Sequence, residues 1–97
     1  MIAEFSIVPI TGEESLSKYV AIILKEVKKS GLKYQLTPMA TIVEGETDEV
    51  FDLIKKCHKI MKQYSNRVLT RVSIDDRGED LNRMDKKVKS VLEKMDE

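Results

Sequence analysis

Cys57 and His58 are the residues of this sequence whose side chains most often bind metals or act as nucleophiles, since the chain has one cysteine and one histidine. They are consecutive within a stretch of helical periodicity, where neighbouring side chains point about 100° apart. Two such side chains do not converge easily on one ion. Cys57 also falls on the apolar face of that stretch, where a thiol is ordinarily inert. We therefore predict neither a metal site nor a catalytic role for this pair.

Two acidic segments each have two interpretations. Asp75, Asp76, Glu79 and Asp80 could attract a hard cation, but they lack the spaced oxygen ligands of a calcium loop. A polar turn in which Asp80 caps a helix is the favoured interpretation. The segment 44–46, Glu-Gly-Glu, is either a strand end followed by the acidic first turn of a helix, or a carboxylate at the mouth of a pocket. In the second case the carboxylate could accept hydrogen bonds from an amino-substituted heterocycle.

Motifs that commonly carry enzymatic chemistry do not occur in this sequence. Its four glycines have neither the spacing of a dinucleotide-binding loop nor that of a phosphate-binding loop. One histidine is a thin basis for a catalytic triad. The aromatic residues do not form the stacking platform of an RNA-binding sheet. The sequence therefore predicts a protein that is not an enzyme and uses no cofactor.

Composition indicates one small domain spanning residues 1–97. The chain has 97 residues, of which 41% are hydrophobic and 35% are charged. Seventeen basic and seventeen acidic residues cancel, so no global field attracts nucleic acid or anionic lipid. One cysteine fits a reducing compartment, and the alternating N-terminal segment differs from a signal peptide or a membrane span. We expect a cytoplasmic protein without a nucleic-acid or membrane partner.

Hydrophobic periodicity predicts an α+β fold with the element order β-α-β-β-α-β. The predicted elements are a strand over 2–10, a helix over about 14–30, a hairpin of 33–37 and 40–44, a helix from Thr47 and a strand over 67–74. Thr11 and Glu14 are a candidate capping box for the first helix. The apolar face predicted for the second helix consists of Val50, Phe51, Ile54, Cys57 and Met61. This order is that of a ferredoxin-like plait, with a core of about residues 2–76 and both helices on one side of an antiparallel sheet.

The sheet face that the helices leave open is predicted to mix polar and apolar side chains. Alternation along the first strand places Ala3, Phe5 and Ile7 towards the helices. The residues predicted for the open face are Glu4, Ser6 and Val8 of the first strand, Leu69, Arg71 and Ser73 of the fourth, and Gln35, Thr37, Thr41 and Val43 of the hairpin. Such a face could pack against another sheet or line a small-ligand pocket.

An additional helix is predicted at the C-terminal end, over about residues 80–96. Its apolar residues step by three and four positions, as in a heptad seam. These residues are Leu81, Met84, Val88, Val91 and Met95. Because the segment is too short for a free coiled coil, the seam is expected to cover its own sheet edge or a neighbouring subunit.

The order and spacing of several short strings resemble those of a known family. The strings are Ala-Glu-Phe-Ser-Ile-Val-Pro-Ile (3–10), Gly-Leu-Lys-Tyr (31–34), Pro38, Met-Ala-Thr-Ile-Val-Glu-Gly-Glu (39–46), Arg-Val (67–68) and Ile-Asp (74–75). Together, over roughly residues 2–95, they resemble the small thiamine-binding-protein family. The resemblance implies a ferredoxin-like subunit whose sheets pack across subunits as dimers paired into tetramers. It also implies binding of thiamine or of its hydroxymethylpyrimidine part.

By motif position, the resemblance implies six candidate ligand-binding residues. They are Ser6, Thr41, Glu44, Tyr34, Met39 and Arg71. Carboxylate and hydroxyl groups could bind the edge of an aminopyrimidine, while Met and Tyr supply an apolar wall. The leading hypothesis is a non-catalytic homo-oligomeric binder of a small heterocycle that associates with itself through the sheet face and the C-terminal helix. The alternative is a structural or regulatory oligomer with no small-molecule ligand.

Overall fold

The computed structural model describes residues 1–78 and 82–96 and has the predicted order of elements. The elements are β1 (Ile2–Pro9), α1 (Ser17–Ser30), β2 (Lys33–Leu36), β3 (Thr41–Glu44), α2 (Thr47–Met61), β4 (Val68–Asp75) and α3 (Arg83–Met95). The four strands form one antiparallel sheet in the order β2-β3-β1-β4. The ferredoxin-like plait with an extra C-terminal helix is therefore confirmed.

The core lies between the sheet and the helices α1 and α2. Strand β1 contributes Ala3, Phe5 and Ile7, as its alternation predicts. The other buried core residues are Met1, Tyr19, Ile23, Val27, Val43, Val50, Leu53, Ile54, Cys57 and Met61. Burial of these side chains is the dominant favourable contribution to folding.

The first helix begins later than its sequence predicts. It starts at Ser17 after Leu16, which makes no side-chain capping bond. Thr11 and Glu14 do not form the predicted capping box, because the Thr11 Oγ1 instead accepts a hydrogen bond from the Glu13 N–H at 3.2 Å. The seven-residue connection between Pro9 and Ser17 is thus partly organised by local turns rather than by an early helix.

The second helix begins at Thr47 as predicted, with an acidic capping box one residue earlier. The Glu46 side chain accepts from the Glu49 N–H, and the Glu46 N–H donates to Glu49 Oε1 at 3.1 Å. One residue of the predicted apolar face is wrong: Phe51 is half-exposed, and Leu53 is buried in the core. The reason is that the helix packs with Val50, Leu53 and Ile54 towards the sheet, which turns Phe51 outward.

The hairpin register differs from the prediction. Thr41 and Val43 pair with Phe5 and Ala3, so they lie on the helix side and are buried. Thr37 lies in the turn, outside either strand, and Gln35 alone of the predicted hairpin set is on the open face. The four-residue turn pairs Leu36 with Thr41 and thereby sets this register.

Strand β4 has the predicted orientation, but the helices do not fully cover its helix-side residues. Val68, Thr70, Val72 and Ile74 pair with the helix-side residues or Pro9 of β1. Even so, Val72 is 42% exposed and Ile74 is 39% exposed, because the helix layer does not extend over this edge of the sheet.

The C-terminal helix lies over one end of the open face. It begins after Asn82, which has a left-handed backbone with φ of 68°. Met84 is buried, whereas Val88, Val91 and Met95 are more than half exposed, so most of the predicted seam is uncovered in a single chain. Asp80, the predicted cap, and Leu81, the first seam residue, lie outside the described residues, as does Glu79.

Candidate functional site

A cavity of about 150 Å³ opens where the sheet is incomplete. Its walls come from three segments, namely residues 5–8 of β1, residues 36–41 of the hairpin, and Val20 and Ile23 of α1. We call this cavity the notch. Its lining contains no charged side chain among the described residues, and most of its walls are aliphatic.

The notch exists because β1 is longer than its neighbour in the sheet. Pairing between β1 and β3 ends at Phe5 and Thr41, whereas pairing between β1 and β4 continues to Pro9 and Val68. The second half of β1 therefore has a strand on one side only. A missing strand beside a paired one leaves a gap about one strand wide.

Backbone groups of Ile7 point into this gap. The Ile10 N–H donates to the Arg67 carbonyl at 2.9 Å, which identifies the pairs of β1 and β4 that exchange hydrogen bonds. By strict alternation these pairs are Ser6 with Arg71 and Val8 with Leu69. The N–H and C=O of Ile7 consequently point away from β4, and no backbone hydrogen bond joins them to the described residues. The notch thus contains an adjacent donor and acceptor.

The hairpin turn that forms the opposite wall is held by one threonine. The Thr37 Oγ1 accepts from the N–H groups of Ala40 at 3.0 Å and Met39 at 3.3 Å, and it donates to the Ala40 carbonyl at 2.8 Å. The Thr37 N–H also donates to that carbonyl at 2.9 Å. These bonds fix the turn, and Met39, which is 87% exposed, forms its tip at the mouth of the notch.

Three of the six predicted site residues meet at the notch. Ser6, Met39 and Thr41 line it, and Thr41 does so from the helix side rather than from the open face. Arg71 lies on the open face directly across the ladder from Ser6 and is exposed. Tyr34 pairs with Val43 and does not line the cavity.

Glu44, also predicted as a ligand-binding residue, does not line the notch. It is buried at the other end of the sheet, and its carboxylate accepts from the N–H groups of Arg83 at 2.5 Å and Met84 at 3.4 Å. A carboxylate in this position satisfies free N–H groups at a helix start and favours the positive end of the helix dipole. Glu44 therefore caps α3, and neither interpretation of segment 44–46 made from sequence includes this role.

Two ion pairs on either side of Glu44 hold the start of α3 to the sheet. Lys33 of β2 contacts Asp85, and Lys87 contacts Asp75 of β4. The Lys87 ammonium lowers the pKa of the Asp75 carboxyl, so Asp75 is ionised at neutral pH. The ladder places Lys33, Glu44 and Asp75 in one row across the sheet. This row is the closed end of the sheet, and the notch is its open end.

The Cys57 and His58 side chains point to different surroundings. Cys57 is fully buried, and this burial raises the pKa of its thiol to about 11, which keeps it protonated. The His58 Nδ1 lies 2.6 Å from the Thr70 Oγ1, which ties α2 to β4. Within residues 1–78 and 82–96, no three potential ligands among His, Cys, Asp and Glu are grouped to hold a metal ion.

A wider hollow of about 680 Å³ lies near the start of α2. Its described lining includes Glu46, Asp48 and Asp76, and Met1 supplies its apolar side chain. Three carboxylates around an open hollow do not provide the apolar walls that enclose an organic ring. None of the described helices is both long and apolar enough to cross a membrane.

Sequence reasoning missed the Ile7 backbone and the α1 wall of the notch, and it placed Thr37 on the open sheet face rather than in the turn. The sequence nevertheless contains a signal for the notch, since the predicted first strand is about twice the length of either hairpin strand. Unequal neighbours in a sheet leave part of the longer strand without a pair.

Comparison with known proteins places the chain among small proteins of similar length. The UPF0045 protein MJ1052 of Methanocaldococcus jannaschii is 33% identical, and the match covers 96% of this chain and 93% of that protein. The UPF0045 protein YqgV of Bacillus subtilis is 38% identical, with 93% of this chain and 92% of that protein covered.

Solved structures show the same fold. The crystal structure of MJ1052 matches with a TM-score of 0.85 and covers 93% of each chain at 33% identity. A Thermotoga maritima protein described as a "putative thiamine biosynthesis/salvage protein" matches with a TM-score of 0.72 at 25% identity, covering 78% of this chain and 82% of its own. The family model described as "Thiamine-binding protein" matches residues 3–92. This chain therefore belongs to the thiamine-binding-protein family.

Proposed function

We propose that this chain is a non-catalytic, self-associating protein that binds a single heterocyclic ring in the notch. The observation that carries the proposal is the Ile7 N–H and C=O pair facing a cavity with aliphatic walls. A ring with an adjacent donor and acceptor on one edge can form two hydrogen bonds with these groups. An aminopyrimidine has such an edge, in its amino group and the neighbouring ring nitrogen.

The size of the notch favours a one-ring ligand. An apolar cavity of about 150 Å³ accommodates a benzene-sized molecule, whereas pockets for larger organic ligands are typically about 300–1,000 Å³. The hydroxymethylpyrimidine part of thiamine fits this limit better than intact thiamine does. Family membership and the description of the Thermotoga relative support a thiamine-related ligand.

Electrostatics also favours the uncharged part of thiamine. A thiazolium ring carries a positive charge, and the described lining of the notch offers no carboxylate to compensate it. Glu44, the one carboxylate among the six predicted ligand-binding residues, is engaged by the start of α3 instead. The described lining also offers no cysteine, histidine or carboxylate as a nucleophile or general base, which is consistent with the proposal of binding without catalysis.

Self-association is supported by apolar surface that a single chain leaves uncovered. On α3, Val88, Val91, Leu92 and Met95 are between 55% and 73% exposed, and Leu69 on the open sheet face is 49% exposed. Surfaces of this kind commonly mark contacts between subunits. A second copy that covers α3 and the open face accounts for both.

Titration calorimetry with hydroxymethylpyrimidine and with thiamine tests the proposal, with light scattering to measure the mass of the particle. We expect saturable binding of hydroxymethylpyrimidine, and weaker binding of thiamine because of its uncompensated charge. In Val20→Trp, the indole fills the notch from a position on α1 that is 40% exposed, so we expect at least a tenfold loss of affinity (about 1.4 kcal/mol).

Ala21→Trp is the matched control, since it adds the same indole at an exposed position of the same helix that does not line the notch. It should retain the affinity of the parent protein. Equal losses in both variants would contradict binding in the notch. Absence of heat with either compound, from a folded protein of oligomeric mass, would favour the alternative of a structural or regulatory oligomer.

A further inference from the structure

Exposure divides the sulfur-containing side chains of this protein into two groups. The chain has five methionines and one cysteine. The buried ones are Met1, Cys57, Met61 and Met84. By contrast, Met39 is 87% exposed and Met95 is 73% exposed. Because a peroxide must reach a sulfur atom to oxidise it, Met39 and Met95 are the side chains that we expect to be oxidised first.

Of the two exposed methionines, Met39 lies at the notch. It lines the notch from the hairpin turn, whereas Met95 ends α3 and does not line it. The Met39 N–H donates to the Thr37 Oγ1 at 3.3 Å, and the Thr37 hydroxyl also bonds the N–H and C=O groups of Ala40. The main chain of Met39 is therefore held in place. Its side chain extends into solvent and is unbranched, with several rotatable bonds.

The rim of the notch near Met39 is apolar. Val20 of α1 and Leu36 of β2 both line the notch, and both are exposed. A ring that fills the cavity from the Ile7 main chain outward reaches this rim. If the Met39 side chain folded over the ring, apolar surface of the rim and of Met39 would be removed from water. A thioether sulfur also makes favourable contacts with aromatic rings.

We propose that Met39 covers a ring bound in the notch, and that oxidation of its thioether to the sulfoxide by a hydroperoxide weakens this binding. The proposal rests on the function proposed above for the notch. It makes Met39 a modification site through which an oxidant controls the affinity for the ligand.

The reaction needs no other group of the protein. The sulfur lone pair attacks the terminal oxygen of the hydroperoxide, an S–O bond forms and the O–O bond breaks. The proton on the transferred oxygen moves to the leaving oxygen, which departs as water or an alcohol. Sulfur is oxidised by the same electron pair that reduces the peroxide. A methionine sulfoxide reductase reverses the change, since a dithiol is oxidised to a disulfide and the oxygen leaves as water.

Oxidation converts the flexible apolar side chain of Met39 into a polar one. The sulfoxide oxygen is a hydrogen-bond acceptor, and the aliphatic side chains of Val20 and Leu36 offer it no donor. Moving this oxygen from water to the apolar rim is therefore unfavourable. The oxidised side chain should remain in solvent, so a bound ring loses its contacts with Met39 and its protection from water.

The burial of the other sulfur atoms confines this response to the surface. Burial raises the pKa of the Cys57 thiol to about 11, so the thiol is protonated at neutral pH and reacts poorly with peroxide. Met1 and Met61 belong to the hydrophobic core. A dilute hydroperoxide should therefore modify the notch without disturbing the core.

Peroxide treatment followed by ligand titration tests the proposal. Dilute hydrogen peroxide should add one oxygen to Met39 and to Met95, as located by peptide mass spectrometry, and circular dichroism should remain that of the parent protein. Calorimetry with hydroxymethylpyrimidine should then show affinity lower by about fivefold or more. Treatment with a methionine sulfoxide reductase and a dithiol should restore it.

Two leucine variants assign the effect to one sulfur atom. Met39→Leu has no oxidisable sulfur at the notch, so its affinity before and after peroxide should be equal, whatever its initial value. Met95→Leu is the matched control, and peroxide should weaken its binding as much as that of the parent protein. An equal response of Met39→Leu and the parent protein would overturn the proposal.

Met39→Gln provides a test without peroxide. It places a polar side chain of similar length at the same position, so the folded variant should bind hydroxymethylpyrimidine more weakly than Met39→Leu does. Equal affinities in these two variants would count against a covering role for Met39. Unchanged affinity of the parent protein after complete oxidation of Met39 would overturn this proposal alone, whereas absence of binding before oxidation would overturn the proposed function as well.

Discussion

The two ends of the sheet use their polar groups in different ways. At the closed end, Lys33, Glu44 and Asp75 form a row, and all three contact α3. At the open end, β3 stops at Thr41, and the Ile7 backbone faces the notch. The buried carboxylate is thus engaged by the protein itself, while the main-chain N–H and C=O of Ile7 have no backbone partner among the described residues.

Under the proposal that the notch binds a ligand, the availability of a polar group matters more than the residue type that carries it. Glu44 is chemically the most attractive ligand-binding residue in the sequence, but its oxygens accept hydrogen bonds from two backbone N–H groups. Ile7 has no polar side chain, and sequence motifs therefore give no hint of it. A main-chain donor and acceptor become a recognition element where a neighbouring strand ends early.

The largest expected loss of stability comes from a change at Phe5, which lies where the fully paired part of the sheet meets the notch. Phe5 is 2% exposed and is the last residue of β1 with a partner in both neighbouring strands. Phe5→Ala should lower the free energy of unfolding by about 3–5 kcal/mol, because it removes a large core side chain and leaves a void. Urea denaturation measures this loss. Phe5→Leu is the control, and an equal loss in both variants would contradict the packing argument.

A smaller loss of stability is expected from Glu44→Ala at the closed end of the sheet. The change leaves the N–H groups of Arg83 and Met84 without their carboxylate acceptor, at a cost of about 1–3 kcal/mol. Amide hydrogen exchange should accelerate at these two residues, while ligand binding at the notch is unchanged. Glu44→Gln keeps an acceptor and should lose less stability. If Glu44→Gln lost ligand affinity while the amides of α3 stayed protected from hydrogen exchange, the two ends of the sheet would not be independent.

The smallest effect is expected from Thr70→Val, near the open end. Thr70 pairs with Ile7 and contacts the His58 Nδ1, so the change removes one half-buried hydrogen bond at a nearly constant side-chain volume. The free energy of unfolding should fall by about 0.5–1.5 kcal/mol, as measured by urea denaturation. Ser73→Ala, an exposed change on the same strand, should have almost no effect on the unfolding of the subunit. A Thr70→Val protein as stable as the parent would mean that water replaces the threonine at no cost.

Sequence periodicity predicts most of this fold because the long strands alternate cleanly. The faces of β1 and β4 follow from Phe5, Ile7, Thr70 and Val72, which continue one pattern over eight residues. The hairpin strands have four residues each, too few for a pattern to define a face. Their register depends instead on the bonds that Thr37 makes within the turn.

The candidate site was predictable only in part. Ser6, Met39 and Thr41 lie close to the turn and to β1, so motif position was sufficient to find them. The role of Glu44 depends on Arg83 and Met84, which are 39 and 40 positions away in the sequence. Contacts at such separations leave no local pattern. For the same reason, the sequence does not reveal that the helices leave Val72 and Ile74 partly exposed.

The central position of β1 has a consequence for the synthesis of the protein. Strand β1 is made before both of the strands with which it pairs, β3 on one side and β4 on the other, and β4 ends at Asp75. At about 5–20 residues per second, a ribosome needs several seconds to make the chain between these strands. During that time the apolar side of β1 has no completed sheet around it. The nascent chain should therefore be most prone to aggregation, and most dependent on chaperones, before β4 leaves the ribosome.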